Sequence, residues 1–310
     1  KLLGKNNEIK KVNWSPVSTI IRQAIGKRIE GKNTEREFDG SDNWPVTWAD
    51  DDCLYTAFGD GYGFDPILPE KLSMGIAKVE GIPPRIKGIN IRSNIEAKGW
   101  GRAGKKACGI LMVEKILYLW VRNIDQKGNF CQLAWSKDYG KTWQWAEWLF
   151  KEFGCCTFLN FGKNYQGAID NFVYIYSHNH SNAYIPADYF VLMRVSKDKI
   201  LERSAYYFFT GLNNLGEPQW SRQIDQRAPV FIHPGRCLRS GISYNAPLKR
   251  FLWWQQLPAK EYSDTRFQGG FGIYDAPTPW GPWTTVYFTE NWDVGPGETG
   301  SFPPKWISKD

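Results

Sequence analysis

Two carboxyl groups stand beside apolar segments, where they could form a catalytic pair. Asp42 comes directly before "NWPVTW", and Glu298 lies in "ETGSFPPKWIS" near the end of the printed sequence. Two carboxyl groups that flank a glycosidic bond can hydrolyse it, one as a general base and the other as a general acid whose pKa is raised. We therefore predict Asp42 as the base and Glu298 as the acid.

Cationic, amide and aromatic side chains occupy similar positions at the starts of other apolar segments. Arg and Lys bind carboxylate and sulfate groups through charge-assisted hydrogen bonds, and a Trp ring can stack on a sugar. The predicted substrate-binding residues are Asn43, Trp44, Arg102, Lys106, Asn160, Arg239 and Lys305.

A second chemistry, β-elimination from a uronate, needs a cation on the carboxylate and a His or Tyr that removes the C5 proton. The stretch "YIYSHNHSNAY" (174–184) supplies candidates, because His178 and His180 share one face at strand spacing and Tyr184 lies nearby. We name His178 and Tyr184 as the alternative catalytic residues. A surface turn would also explain this cluster.

A third interpretation is a module that binds glycans without cleaving them, since one fold hosts many functions. No cofactor is expected. The six cysteines show no CxxC spacing and no partnering His cluster, so we predict no metal centre, and their redox state stays open. "DDD" at 50–52 reads as a solvated turn or a cation site, which leaves a structural divalent cation as an alternative.

The charge balance favours an anionic partner. The formal net charge is +7, but no run of five Lys or Arg and no nucleic-acid motif occurs. We therefore expect an anionic oligo- or polysaccharide and no nucleic acid. No apolar run reaches 18 residues, so no membrane helix is expected. The sequence begins "KLLGKNNE" without a signal peptide, which suggests a mature or trimmed chain.

The elements that would position these residues are strands. Short apolar runs alternate with Gly, Pro, Asn and Asp turns, and 16% of the residues are aromatic. Five stretches resemble the first strand of a four-stranded unit followed by an aromatic second strand, which predicts an all-β fold, a five-bladed β-propeller, although loose repeats could hide a sixth or seventh blade. The openings are 44–61, 105–123, 156–179, 239–256 and 301–310.

We expect residues 1–310 to form a single domain. Only "PVSTIIRQAIGKRI" (16–29) could form helical turns. Because "KWISKD" reads as the start of a further blade, either the N-terminal "EIKKVNWSPVS" completes that blade or the C-terminus is truncated.

"SKDYGKTW" (136–143) predicts a tight hairpin turn. Asp138 can bond to nearby backbone amides, Gly140 can adopt a positive φ, and Thr142 with Trp143 can restart a strand.

The same eight residues resemble the Asp-box of sialidases and other propellers, which implies a structural role for Ser136, Asp138, Gly140, Thr142 and Trp143. "APTPWGPWTTV" (276–286) resembles a turn of five-bladed glycosidases of the arabinanase and invertase type. Segments 40–61 and 298–308 look like parts of sialidase-like secreted bacterial propellers.

The resemblance implies a carbohydrate-active propeller that degrades polysaccharides, secreted or periplasmic. We expect a glycoside hydrolase acting on a uronate-, sulfate- or sialate-bearing glycan, with a polysaccharide lyase as the alternative. Asp42, directly before a first strand, matches the place of the base in five-bladed glycosidases. The three arginines and the Tyr–Glu pair of a true sialidase cannot be placed from the sequence.

Overall fold

The computed structural model describes residues 8–16, 41–259, 265–292 and 297–308. Within these ranges the regular structure is almost entirely β, with one short α-helix, α1 (Thr265–Gln268), and several 3-10 turns. The predicted helical segment 16–29 lies outside the described residues apart from Pro16. The described helix is too short to cross a membrane.

Within the described ranges the strands form four consecutive antiparallel meanders, which we number as blades 1 to 4. Blade 1 contains β1 (Val46–Trp48), β2 (Leu54–Phe58), β3 (Gly75–Ile82) and β4 (Arg85–Ile91). Blade 2 contains β5 (Lys106–Val113), β6 (Ile116–Arg122), β7 (Cys131–Ser136) and β8 (Gln144–Phe150).

Blades 3 and 4 share one larger sheet. Blade 3 contains β9 (Thr157–Asn160), β10 (Phe172–His178), β11 (Ala187–Ser196) and β12 (Tyr207–Leu212), extended by β13 (Pro218–Ser221) and β14 (Pro229–Cys237). Blade 4 contains β15 (Ser240–Asn245), β16 (Arg250–Leu257), β17 (Gly270–Ala276) and β18 (Thr284–Thr289). The parallel pair β9–β15 joins them.

The first strands of the four blades lie next to one another at the centre. The amide of Met112 on β5 donates to the hydroxyl of Thr47 on β1 at 3.0 Å. On the other side of β5, a Cβ at Gly109 would lie 2.9 Å from the Cα of Thr157, so only glycine allows β5 and β9 to approach this closely. Successive meanders arranged in this way form a β-propeller.

Residues 297–308 occupy the space between blade 4 and blade 1. A Cβ at Gly241 of β15 would lie 2.5 Å from the carbonyl oxygen of Gly300. At the other end of the segment, the indole of Trp306 donates to the carbonyl of Gly81 at 3.4 Å. The segment therefore fills a fifth position around the axis.

The prediction that 301–310 opens with a strand was wrong for its described residues. Pro303 and Pro304 lack amide hydrogens for a strand ladder, and a 3-10 turn forms at Pro304–Trp306 instead. The described N-terminal residues 8–16 form no strand either, and Trp14 packs against Phe271 and Tyr287 of blade 4.

Aromatic side chains fill the spaces between blades. Trp120 of blade 2 lies 6.0 Å from Phe158 of blade 3 between ring centroids, and Trp253 of blade 4 lies 4.8 Å from Tyr176. Both tryptophans are fully buried. Burial of apolar ring area therefore holds the blades together, which accounts for much of the aromatic content.

The "SKDYGKTW" stretch connects β7 to β8 as a hydrogen-bonded turn. The carboxylate of Asp138 accepts from the amide and the hydroxyl of Thr142, at 2.9 and 2.6 Å, and from the hydroxyl of Ser136 at 2.8 Å. Gly140 has φ of 85°, as predicted, and the indole of Trp143 donates to its carbonyl. Asn94 then bonds the backbone of Trp143 to blade 1.

Replacement of Asp138 by Ala should lower the free energy of unfolding by about 1–2 kcal/mol, because it leaves the donors of Thr142 without an acceptor. Urea unfolding at pH 7 measures this change. Lys141→Ala, an exposed residue of the same turn, is the matched control and should be neutral. Equal losses in both variants would contradict the role of Asp138.

Candidate functional site

A small cavity of about 30 Å³ lies on the axis between the first strands. Residues of all four blades and of the 297–308 segment line it. Among the predicted site residues, the lining includes Asn43, Trp44, Asn160 and Arg239, and Thr299 follows directly after Glu298. The structure therefore brings together residues that are as much as 258 positions apart in the chain.

Asp42 directly precedes Asn43 of the cavity lining and is fixed by two backbone hydrogen bonds to Gly59 of 2.8 and 2.6 Å. Burial raises the pKa of Asp42, and the nearby Glu298 carboxylate raises it further, against the lowering effect of Lys106. The amide of Asn43 donates to the Asp42 carboxyl at 2.9 Å and orients it. The direction of this shift is the one that a general acid needs.

Glu298 forms an ion pair with the guanidinium of Arg239, and both side chains are largely buried. The guanidinium holds and orients the Glu298 carboxyl group. The order predicted from the sequence, with Asp42 as the base and Glu298 as the acid, stays a prediction. The raised pKa of Asp42 favours the opposite order.

Three arginines surround the ring of Tyr184. The guanidinium carbons of Arg102, Arg122 and Arg239 lie 5.2, 5.1 and 5.2 Å from its centroid. The Tyr184 hydroxyl accepts a hydrogen bond from Asn123 at 3.0 Å. We call this group the arginine cage; it consists of Arg102, Arg122, Arg239 and Tyr184.

Separate elements supply the members of the arginine cage. Arg102 lies on a 3-10 turn before β5 and is exposed, Arg122 ends β6, Arg239 directly precedes β15, and Tyr184 lies in the loop after β10. Sequence reasoning missed Arg122. Its only signal was a charged residue at the end of the apolar run "ILYLWVR".

Arg122 is the most deeply buried cation of the site, at 1% exposure. Its Nε and Nη1 atoms have no hydrogen-bond partner among the described residues, and no described carboxylate forms an ion pair with it. A buried guanidinium in this state strongly favours an anion nearby.

Lys106 is also buried, but its ammonium forms an ion pair with Asp60. Asp60 in turn accepts from the backbone amide of Gly101 at 3.3 Å, which anchors the turn that carries Arg102. Lys106 therefore places a positive charge next to Asp42. Through Asp60 it also positions the turn that carries Arg102. The sequence had predicted a direct contact of Lys106 with the substrate.

The predicted catalytic role of His178 does not fit its surroundings. The side chain is completely buried, its Nε2 lies 2.9 Å from the carbonyl of Asn182, and burial lowers its pKa to about 4. His180 accepts from the amide of Asn182 at 2.9 Å. The two histidines fix the loop that presents Tyr184.

Lys305 and Trp44 also differ from the prediction. Lys305 forms an ion pair with Asp52 at the β1–β2 turn and does not line the cavity. Trp44 packs against Phe58 and Phe64, with its ring centroid 5.5 and 4.7 Å from theirs, so its ring belongs to the blade 1 core. Trp44 is also one of the residues that line the cavity.

The aspartates at 50–52 accept hydrogen bonds at the turn between β1 and β2. Asp50 accepts from Tyr139, Asp51 from Tyr55, and Asp52 from Trp48. Within the described ranges, no three His, Cys, Asp or Glu side chains are arranged to hold a metal ion.

Comparisons with known proteins gave matches only among solved structures. No family model and no curated protein matches this chain. It is similar to the catalytic domain of a GH62 alpha-L-arabinofuranosidase from Coprinopsis cinerea, with 8% identity, TM-score 0.47, and coverage of 87% of this chain and 73% of that one.

Two further similar structures are a GH43_1 enzyme from Xanthomonas citri and an exo-beta-1,3-galactanase from Phanerochaete chrysosporium. The first has 11% identity, TM-score 0.42, and coverage of 79% and 72% of the two chains. The second has 9% identity, TM-score 0.44, and coverage of 92% and 52%.

Replacement of Asp42 by Asn should stabilise the protein at pH 7. A carboxyl group whose pKa is raised on folding contributes its full stability below the unfolded pKa, and that stability is lost as the pH rises through the folded pKa. Asn carries no charge, so the variant avoids this loss. Urea unfolding at pH 3.5 and pH 7 should show an advantage only at pH 7.

Asp138→Asn is a control for which the pH dependence of the stability change should have the opposite sign. Burial by itself would raise the pKa of Asp138, but hydrogen bonds from Thr142 and Ser136 lower it overall, so this variant should lose more stability at pH 7 than at pH 3.5. An Asp42→Asn effect that is the same at both pH values would contradict the assignment of Asp42.

Proposed function

We propose that this protein is a glycoside hydrolase that acts on an anionic glycan. The observation that carries the proposal is the pair of neighbouring, unlike carboxyl groups of Asp42 and Glu298, each next in the chain to a residue that lines the cavity. Asp42 has a raised pKa, and the carboxylate of Glu298 is held by Arg239. Glycoside hydrolysis uses one protonated and one ionised carboxyl group across the scissile bond.

In this mechanism Asp42 donates its proton to the leaving-group oxygen as the glycosidic bond breaks. Glu298 acts on the opposite face of the sugar, where its negative charge assists attack at the anomeric carbon. Arg239 fixes the orientation of Glu298, and Asn43 fixes that of Asp42. Positioned in this way, each carboxyl group needs little reorganisation during the reaction.

The charge of the site supports an anionic substrate. The cations of the site are Arg102, Arg122, Arg239 and Lys106, against the carboxyl groups of Asp42, Glu298 and Asp60. The excess positive charge would be balanced by a carboxylate or sulfate group on the sugar. Arg102, the exposed member of the arginine cage, would make the first contact.

The test is a panel of uronate-bearing, sulfated and sialylated glycans, followed by reducing-end release and by absorbance at 235 nm. Hydrolysis should give reducing ends without the absorbance of an unsaturated product. Asp42→Asn and Glu298→Gln should each lower kcat by at least ~10²-fold, because each removes an acid–base group.

Glu290→Gln is the matched control. Glu290 forms an ion pair with Arg236, at 2.6 Å, just beyond the end of β18 and outside the cavity lining. This variant should keep normal turnover. Normal turnover in the Asp42 and Glu298 variants would overturn the mechanism, and binding without any product would leave a glycan-binding protein.

A second candidate, elimination from a uronate, is favoured by the position of Tyr184. A phenol among three guanidinium groups is suitably placed to remove a proton while the arginines neutralise the neighbouring carboxylate. His178 is not needed in this version, because it is buried and bonded to backbone.

Tyr184→Phe separates the two candidates. The variant keeps the ring that packs among the arginines and loses only the hydroxyl that accepts from Asn123. If the reaction is hydrolysis, kcat should fall less than about tenfold. If it is elimination, the 235 nm product should fall by at least ~10²-fold, since the base is removed.

A further inference from the structure

Arg122 carries buried hydrogen-bond donors that no described residue accepts. Its guanidinium carbon lies 5.1 Å from the centroid of the Tyr184 ring, and the residue is 1% exposed. A ring face attracts the positive charge but offers no acceptor atom to the N–H groups. The Nε and Nη1 atoms are therefore unmatched within the described ranges. Buried donors in this state destabilise a protein, and more so when their group is charged.

Arg239 contributes a further unmatched donor to the same place. Its Nη1 bonds to Glu298, but its Nε has no partner in the part of the chain that the structure describes. Arg122 and Arg239 both line the central cavity, one at the end of β6 in blade 2 and the other directly before β15 in blade 4. Two buried like charges that share a small space repel each other, and Glu298 offsets only one of them.

The charge balance favours an anion over a water molecule in this cavity. Lys106 is paired with Asp60. Arg239 is paired with Glu298. The guanidinium of Arg122 has no such partner among the described carboxylates. A water molecule could accept from its N–H groups but would leave the charge uncompensated, whereas a negative ion would do both.

The size of the cavity restricts the anion to a small one. Its volume of about 30 Å³ exceeds the ~10–15 Å³ that one water molecule requires, so an ion slightly larger than water fits. The acid group of a glycan brings a sugar ring with it and is too large. Ile110, Phe158 and Ile242 form part of the wall, and such apolar surroundings strengthen the attraction between an ion and a guanidinium.

We propose that the central cavity binds a halide ion, chloride under ordinary conditions, through the guanidinium groups of Arg122 and Arg239. The Nε and Nη1 groups of Arg122 and the Nε group of Arg239 donate to the ion, which accepts from all of these directions because it is spherical. Asn160 lines the same cavity with an unmatched Oδ1, and rotation of its side-chain amide brings an NH2 donor to the ion instead. The role of the ion is structural, because it neutralises Arg122 and changes no covalent bond.

The halide site goes beyond the proposed glycosidase function. A glycan would meet the exposed Arg102 first, whereas the halide would remain beside the buried Arg122. Binding of the ion is measured without any glycan, so either proposal can fail while the other holds.

The test is urea unfolding of the native protein over a thousandfold range of sodium chloride. Sodium methanesulfonate, whose anion is too large for the cavity, holds the ionic strength constant. Because the ion would bind only the folded state, each tenfold rise in chloride above its dissociation constant should raise the ratio of folded to unfolded protein about tenfold. Bromide should act in the same way as chloride.

Arg122→Met assigns the effect to this arginine. The variant keeps an unbranched side chain and removes the charge, so the same chloride series should change the ratio of folded to unfolded protein less than about twofold. Arg236→Met is the matched control, because Arg236 is a largely buried arginine that is paired with Glu290 at 2.6 Å outside the cavity lining. This variant should keep the tenfold dependence.

Bromide also locates the site in the native protein, which decides the question even if Arg122→Met does not fold. Crystals grown in sodium bromide should show an anomalous diffraction peak in the central cavity, within hydrogen-bonding distance of the Nε and Nη1 atoms of Arg122.

Three results would overturn the proposal. The first is unfolding that is the same in chloride and in methanesulfonate. The second is a chloride dependence that persists unchanged in Arg122→Met, and the third is a bromide peak only at the exposed Arg102. A lack of activity on every glycan would change none of these readings.

Discussion

The guanidinium of Arg122 is the group on which the rest of the site depends. Removing a charge from water costs several kcal/mol unless nearby groups compensate for it. Arg122 is buried at the end of β6. The ring of Tyr184, the thiol of Cys155 and the charge of Glu298 offset part of its desolvation cost. Arg102, Arg239 and Tyr184 gather around this charge, whereas the pKa of Asp42 is raised in spite of it, because burial outweighs the lowering effect of Arg122.

The propeller makes such a site possible because its first strands start at a common axis. Each blade needs its neighbours to cover its apolar faces. The close approach of β5 to β9 at Gly109 also brings together the polar residues beside these two strands. Residues 297–308 take part in the same ring through Gly241 and so bring Glu298 beside Arg239. The packing of the blades and the chemistry of the site therefore share the same contacts.

The central arginines differ in their negative partners. Glu298 neutralises Arg239, whereas no described carboxylate forms an ion pair with Arg122. Both arginines line the same cavity, which has room for only a water-sized molecule or ion.

Local sequence determined what depends on local physics. Alternating apolar residues and Gly, Asn and Asp turns specified the strands, and "SKDYGKTW" specified its turn, since its hydrogen bonds join residues within four positions. The sequence also placed Asp42 and Arg239 near the starts of first strands, whereas Asn160 ends β9. Tertiary structure alone decided that Arg122 joins the site, that Lys305 leaves it, and that the pKa of Asp42 is raised. Those outcomes follow from burial and from charges brought together from distant parts of the chain, and no local pattern records them.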